Sequence, residues 1–123
     1  MARILIIDDD SLVRHALVLM LEHESHEVME AANGREAIRI IREWQPDLVI
    51  TDIIMPETDG FETIRELRNT AAELKIIAIS GGDPIGTQDI LEIAREFGAD
   101  AAFGKPIDRQ EFLSSVSRLL AAA

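Results

Sequence analysis

Four short apolar runs in this chain are each followed by residues that can do chemistry. Ile4-Leu5-Ile6-Ile7 runs into Asp8-Asp9. Leu48-Val49-Ile50-Thr51 ends at Asp52, Ile76-Ile77-Ala78-Ile79 at Ser80, and Ala101-Ala102-Phe103 leads within two residues to Lys105-Pro106. If these runs are strands of one parallel sheet, one edge of it gathers three carboxylates, a hydroxyl and an ammonium. Clustered carboxylates repel, which costs stability unless a cation compensates. Magnesium suits such a cluster, because it takes oxygen ligands, keeps several waters and leaves room for phosphate oxygens. No twelve-residue calcium loop is present. On this reading Asp52 is a nucleophile whose attack on phosphorus forms an acyl phosphate. Asp9 binds the metal directly, and Asp8 acts through a metal-bound water or positions Asp9. Ser80 donates a hydrogen bond to a phosphate oxygen. Lys105 supplies fixed positive charge to that phosphate, or pairs with Asp52 when it is absent. Phosphoryl transfer asks a protein chiefly for positioning and charge neutralisation, and these groups offer both.

The elements that would position them alternate along the chain. Ile4 to Ile7 is apolar at every residue, as a strand covered on both faces must be. Asp10 or Ser11 is placed to cap a helix carrying Leu12, Val13, Ala16, Leu17, Met20 and Leu21 at helical spacing. Glu27 to Ala31 reads as a polar strand suited to a sheet edge. Asn33-Gly34 turns the chain into a helix with Ala37, Ile38, Ile40, Ile41 and Trp44 on its stripe, ended by Pro46. Strand three is Asp47 to Thr51, finishing at Asp52, and Phe61 to Arg68 is helical. Strand four is Lys75 to Ile79. Thr87 to Phe97 is a helix stopped by Gly98, and Ala101 to Phe103 a short fifth strand. Asp108 caps a last helix through Phe112, Leu113, Val116, Leu119 and Leu120. Five strands alternating with five helices imply βαβ units, right-handed crossovers and an α/β fold with a parallel sheet. Ligands in such folds sit beyond the carboxyl ends of the strands, near the point where winding reverses.

The bulk properties narrow the function. The chain has 123 residues, suited to a single domain over 1–123, and 47% of them are hydrophobic, enough for a core. Its formal charge of -11 argues against nucleic-acid binding by this domain, since phosphate backbones reward basic surfaces. Without cysteine, neither disulfides nor thiolate zinc sites are possible. No signal peptide and no apolar stretch of bilayer-spanning length is evident, so a cytoplasmic protein without membrane contact is expected. The closing Ala121-Ala122-Ala123 reads as a frayed helix end or the edge of a fragment.

Bland explanations compete for individual residues. Asp10 is better explained as a cap than as a ligand, and Asp59-Gly60 as turn chemistry. Asp100 and most glutamates read as solvated surface. His15, His23 and His26 lie away from the strand ends, and Trp44 reads as core or rim packing. Ser80-Gly81-Gly82 alone would be a flexible loop, and Lys105 alone a surface lysine. The coincidence of all the strand ends is what favours a site.

These residues resemble the receiver domain of two-component response regulators over essentially the whole chain. Asp52-Ile53-Ile54-Met55-Pro56-Glu57-Thr58-Asp59-Gly60 matches that family's D-x-x-M-P-x-x-D-G stretch, and Asp8-Asp9, Ser80 and Lys105-Pro106 match the rest of its pattern. The resemblance implies a flavodoxin-like fold, a five-stranded parallel sheet in order 2-1-3-4-5 with five helices. It implies that a sensor histidine kinase or phosphotransfer protein donates a phosphoryl group to Asp52 with Mg2+. The backbone carbonyl of Ile54 would join Asp8, Asp9 and Asp52 as a metal ligand. The domain would catalyse its own phosphorylation and dephosphorylation without turning over a separate substrate, and would act on a downstream protein or a missing output domain.

Some positions depart from the family's pattern. Ala102 stands where many receivers carry an aromatic switch residue, three before the lysine, and Phe103 next to it should point to the opposite sheet face. Reporting of phosphorylation then falls to the glycine-rich loop from Gly81 to Gly86. Ile54 and Gly82 occupy the positions that tune acyl-phosphate lifetime in the family. Neither has a polar side chain to orient an attacking water, so slow hydrolysis is expected. Two other classes compete. An aspartyl-phosphate hydrolase of haloacid-dehalogenase type would use the Asp8/Asp10 spacing and leave the Asp52 stretch unexplained. A binding module without phosphorylation would have no need of the acidic site and Lys105.

Overall fold

The computed structural model describes residues 2–55, 58–81 and 87–122. Strand β1 (Arg3–Ile7) is followed by α1 (Ser11–His23), β2 (Glu27–Ala31), α2 (Gly34–Trp44) and β3 (Leu48–Asp52). Then come α3 (Gly60–Thr70), β4 (Lys75–Ser80), α4 (Thr87–Phe97), β5 (Ala101–Gly104) and α5 (Arg109–Ala121). The five strands pair in parallel in the order β2-β1-β3-β4-β5. Ile7 stands opposite both Ala31 and Thr51, and Asp52 opposite Ile79. An additional antiparallel pair, Ile54–Met55 with Thr58–Asp59, lies between β3 and α3.

Alternation divides the sheet into two cores. Leu5, Ile7, Val49, Ile76, Ala78 and Ala102 pack on one face with Ile41, Ile64, Leu67 and Ala94. Ile4, Ile6, Ile50, Ile77 and Ile79 pack on the other with Leu17, Leu21, Phe112 and Val116. Both faces are covered, so the strands read as continuous apolar runs. Strand β2 pairs only with β1, at the edge of the sheet, and is correspondingly polar and mostly exposed, as expected of an edge. Phe103 packs edge-on against Phe112, ring centroids 5.9 Å apart, while Ala102 belongs to the opposite core, so the two neighbours do face different sides.

The helix starts follow their caps. Asp10 accepts from the amides of Leu12 and Val13, which makes it, not Ser11, the cap of α1. Asn33 caps α2 by accepting from Glu36 N at 2.9 Å, so Asn33-Gly34 is a cap and first turn. Asp108 caps α5 by accepting from Glu111 N. Gln45 adopts a left-handed conformation (φ 54°) at the end of α2, just before Pro46, and Gly98 (φ +124°) follows α4.

Asp100 is exposed, as read, but its carboxylate has fixed partners. Its Oδ2 accepts from Ile76 N at 2.8 Å and from Arg68 Nη2 at 2.9 Å. Arg68 also donates to the carbonyls of Ala72, Leu74 and Gly98. Asp100 and Arg68 thereby tie the ends of α3 and α4 to the amino edge of the sheet. Asp47 likewise belongs just outside β3, where its carboxylate accepts from Arg3 N.

Candidate functional site

Asp8, Asp52, Ser80 and Lys105 come together because four neighbouring strand ends do. Asp8 continues β1 beyond Ile7 and Asp52 ends β3, next to it in the sheet. Ser80 ends β4 beside them, opposite Gly104 of β5, and Lys105 N donates to Ser80 O at 2.8 Å. The Lys105–Pro106 peptide bond is cis. The lysine side chain returns over this edge. Its Nζ lies 3.4 Å from Asp52 Oδ2 and 3.6 Å from Asp8 Oδ2. Both carboxylates are almost wholly buried, at 5% and 1% exposure. Asp9 is exposed, yet its carboxylate and those of Asp8 and Asp52 lie within 4.8 Å of one another.

Burying two carboxylates with a third alongside is tolerable only where positive charge compensates. Lys105 supplies one positive charge against three negative ones. The remainder suits a hard dication. The donor set consists of carboxylate oxygens, and its spacing lets one ion be met directly by some of them and through bound water by others. The acidic residues therefore fit Mg2+. Ser80 Oγ adds an independent sign of a ligand position. It is buried and finds no hydrogen-bond partner among the described residues, and a buried unpaired hydroxyl costs about 1–3 kcal/mol until something accepts from it.

Asp8 is held at its amide, its carboxylate and its carbonyl. Its amide donates to Ala31 O at 3.2 Å, its Oδ1 accepts from Asp10 N at 2.9 Å, and its carbonyl accepts from the Arg14 guanidinium. Asp10 spends its own carboxylate on the start of α1, so the Asp8/Asp10 spacing of the hydrolase reading does not produce a paired site. Ile54 stands two residues past Asp52 in the short strand Ile54–Met55, at the same edge. Pro56, Glu57 and the 82–86 segment, with Gly82 in it, lie outside the described residues, so the expected reporting role of that loop does too.

Arg14, which donates to the Asp8 carbonyl, was not singled out from sequence. Its signal was a cation near the start of a helix, where the dipole disfavours it unless it has a partner. Gly60 was read from sequence as turn chemistry. A Cβ there would run into the Ile53 carbonyl just behind Asp52, so glycine is needed for close backbone approach and not for turn chemistry alone.

His15 and His23 lie on α1 away from the site. His26 lies at the opposite sheet edge, where its Nδ1 accepts from Ala2 N at 3.3 Å. Trp44 packs at the margin of one core, with Arg3 5.8 Å over its ring. An open cavity of about 1240 Å³ is also at that far edge, between Ala2, Gln45, Lys75 and Leu119. It contains none of the site's residues.

A parallel sheet in order 2-1-3-4-5 with an acidic, lysine-bridged carboxyl edge defines a flavodoxin-like phosphoacceptor module. The family model for the response regulator receiver domain matches residues 4–117, and the chain belongs to that family. It is a receiver domain of the two-component response regulators. It is 34% identical to the chemotaxis protein CheY of Halobacterium salinarum, over 98% of each chain. It is 36% identical to the response regulator MprA of Mycolicibacterium vanbaalenii, over 96% of this chain but 50% of MprA, so it spans about half the length of that relative. Among solved structures it superposes on a putative response regulator from Chloroflexus aurantiacus with a TM-score of 0.87, at 32% identity and 98% coverage of both chains.

No helix among the described residues is long and apolar enough to cross a membrane.

Proposed function

We propose that Asp52 is the phosphoacceptor of this receiver domain and that the domain, over 1–123, works as a phosphorylation-dependent switch. The observation that carries this is Lys105 Nζ held between the buried carboxylates of Asp52 and Asp8, with Asp9 close by. The donor is a phosphohistidine on a sensor histidine kinase or phosphotransfer protein. One Asp52 carboxylate oxygen attacks phosphorus, the P–N bond breaks, and its electron pair leaves with the imidazole, which takes up a proton. Asp8, Asp9, Asp52 and the Ile54 carbonyl would hold Mg2+, which supplies charge neutralisation at the transferring phosphoryl oxygens. Lys105 turns from Asp52 to a phosphoryl oxygen, and Ser80 Oγ donates to another, which satisfies the buried hydroxyl. The burial of Asp52 limits access by water and favours transfer from a docked donor.

The modified carboxylate carries added charge at an edge shared by β4 and β5, where Lys105 and Ser80 follow it. The resulting shift is passed to a downstream protein or to an output domain beyond this chain, and the work is done in the cytoplasm. Incubation with a small-molecule phosphodonor and Mg2+ tests the site. The wild-type chain should gain one acid-labile phosphate by intact mass, and EDTA should prevent it. Asp52→Asn should gain none; phosphate on that variant would refute the assignment.

A further inference from the structure

We infer that Arg14, oriented by Glu30, is a positioning residue for the metal site, acting through the backbone of Asp8. This inference rests on the reading of the acidic cluster as a Mg2+ site. Arg14 leaves α1 one turn past its cap and places two donors on two different elements. Its Nη1 donates to the Asp8 carbonyl, and its Nε donates to Glu30 Oε1 on β2 at 2.8 Å. The Arg14 side chain is 19% exposed, against 44% for Glu30, so the guanidinium is the inner partner of the pair. A planar fork with donors at fixed angles can serve both acceptors together, which a lysine cannot.

The consequence falls on Asp8. The Ala31 carbonyl, the Asp10 amide and Arg14 hold its amide, carboxylate and carbonyl respectively. Besides Lys105, whose Nζ lies 3.6 Å from its carboxylate, Arg14 reaches Asp8 from another element through a side chain, and it does so at the backbone. It links the first metal-site acid to the edge strand β2, which contributes no ligand. Groups that orient metal ligands from behind usually change metal affinity by about 10–100-fold when removed.

Charge and positioning predict opposite signs, which makes the inference decidable. Removing a cation near a cation site strengthens Mg2+ binding if Arg14 acts only through its field. It weakens binding if Arg14 holds Asp8 in place. Mg2+ titration by calorimetry on the metal-free protein, at a temperature where melting curves show every variant folded, distinguishes them. Arg14→Gln should bind Mg2+ about tenfold more weakly than wild type. Arg14→Lys, which keeps the charge, should still fall short by several-fold, and Glu30→Gln should weaken binding less than Arg14→Gln. The phosphorylation rate of Arg14→Gln should recover at saturating Mg2+, with the loss confined to the Mg2+ concentration needed. Unchanged or tighter Mg2+ binding by Arg14→Gln, whatever its melting temperature, overturns the inference. So does a rate that stays low at saturation. If wild type itself binds no Mg2+, or if Asp9→Asn binds it as well as wild type, the underlying reading of the cluster fails instead.

Discussion

Asp8, Asp9 and Asp52 lie within reach of one another with Lys105 beside Asp8 and Asp52, an arrangement that costs stability unless a cation compensates. Each carboxylate removed relieves repulsion. Asp8→Asn keeps the acceptor for Asp10 N while deleting one charge. In EDTA it should raise unfolding free energy by on the order of 1 kcal/mol. With Mg2+ the order should reverse, because wild type gains ligand-linked stability that the variant largely loses. Urea denaturation with and without Mg2+ measures both. The lifetime of the phosphorylated state belongs to the same scale. Neither Ile54 nor Gly82 has a polar side chain to orient water toward phosphorus. Phosphate should therefore be retained well beyond seconds without a phosphatase, as followed by acid-labile mass after removal of the donor. Loss within seconds would contradict that expectation.

At the scale of elements, the strands and caps were legible and several side-chain partners were not. Apolar runs announced the three central strands, a polar stretch and a three-residue run the two outer ones, and Asp10 and Asp108 stood where helix starts require an acceptor, while Asn33 was read as a turn. The partners of Asp100 were not legible because nothing local to it shows that β4 begins beside it. Its carboxylate meets Ile76 N and Arg68, 24 and 32 residues away. Asp100→Ala strands a part-buried amide and removes the anchor of Arg68. It should cost about 1–3 kcal/mol in urea denaturation, with little change in Mg2+ binding at the far edge. The short pair Ile54–Met55 with Thr58–Asp59 was also missed, since two-residue strands are too brief to show a period.

Across the whole molecule, the two edges of the sheet have different work. The carboxyl edge holds the acidic site, and the amino edge holds a pH-sensitive contact. Burial pushes the His26 imidazole below its ordinary value, with Glu24 acting in the opposite direction. Its Nδ1 accepts from Ala2 N, a bond the protonated ring loses. A histidine lowered on folding contributes stability that is fully present above its unfolded value of about 6.5 and is lost as pH falls from there through the folded value. Urea midpoints between pH 7.5 and 5 should therefore fall more steeply for wild type than for His26→Gln. Equal slopes would remove His26 from the account. Phosphorylation at Asp52 should be indifferent to that variant, because the length of the strands separates the two edges.

Composition, alternation and the residues behind each apolar run were enough to establish the parallel α/β sheet, its order by family resemblance, and to single out Asp8, Asp9, Asp52, Ser80 and Lys105 as strand-end candidates. These are local signals: burial on both faces requires unbroken apolar strands, and the fold rule assigns chemistry to their ends. Tertiary structure decided what holds those residues. It set Lys105 between two buried carboxylates, left Ser80 Oγ without a described partner, and put Arg14 behind Asp8. It also made Gly60 a packing requirement against Ile53, and set Phe103 edge-on against Phe112 of α5. The reason is range. Strand and cap signals are written within a few residues, whereas charge pairing, close backbone approach and unsatisfied polar atoms exist only between segments that folding brings together.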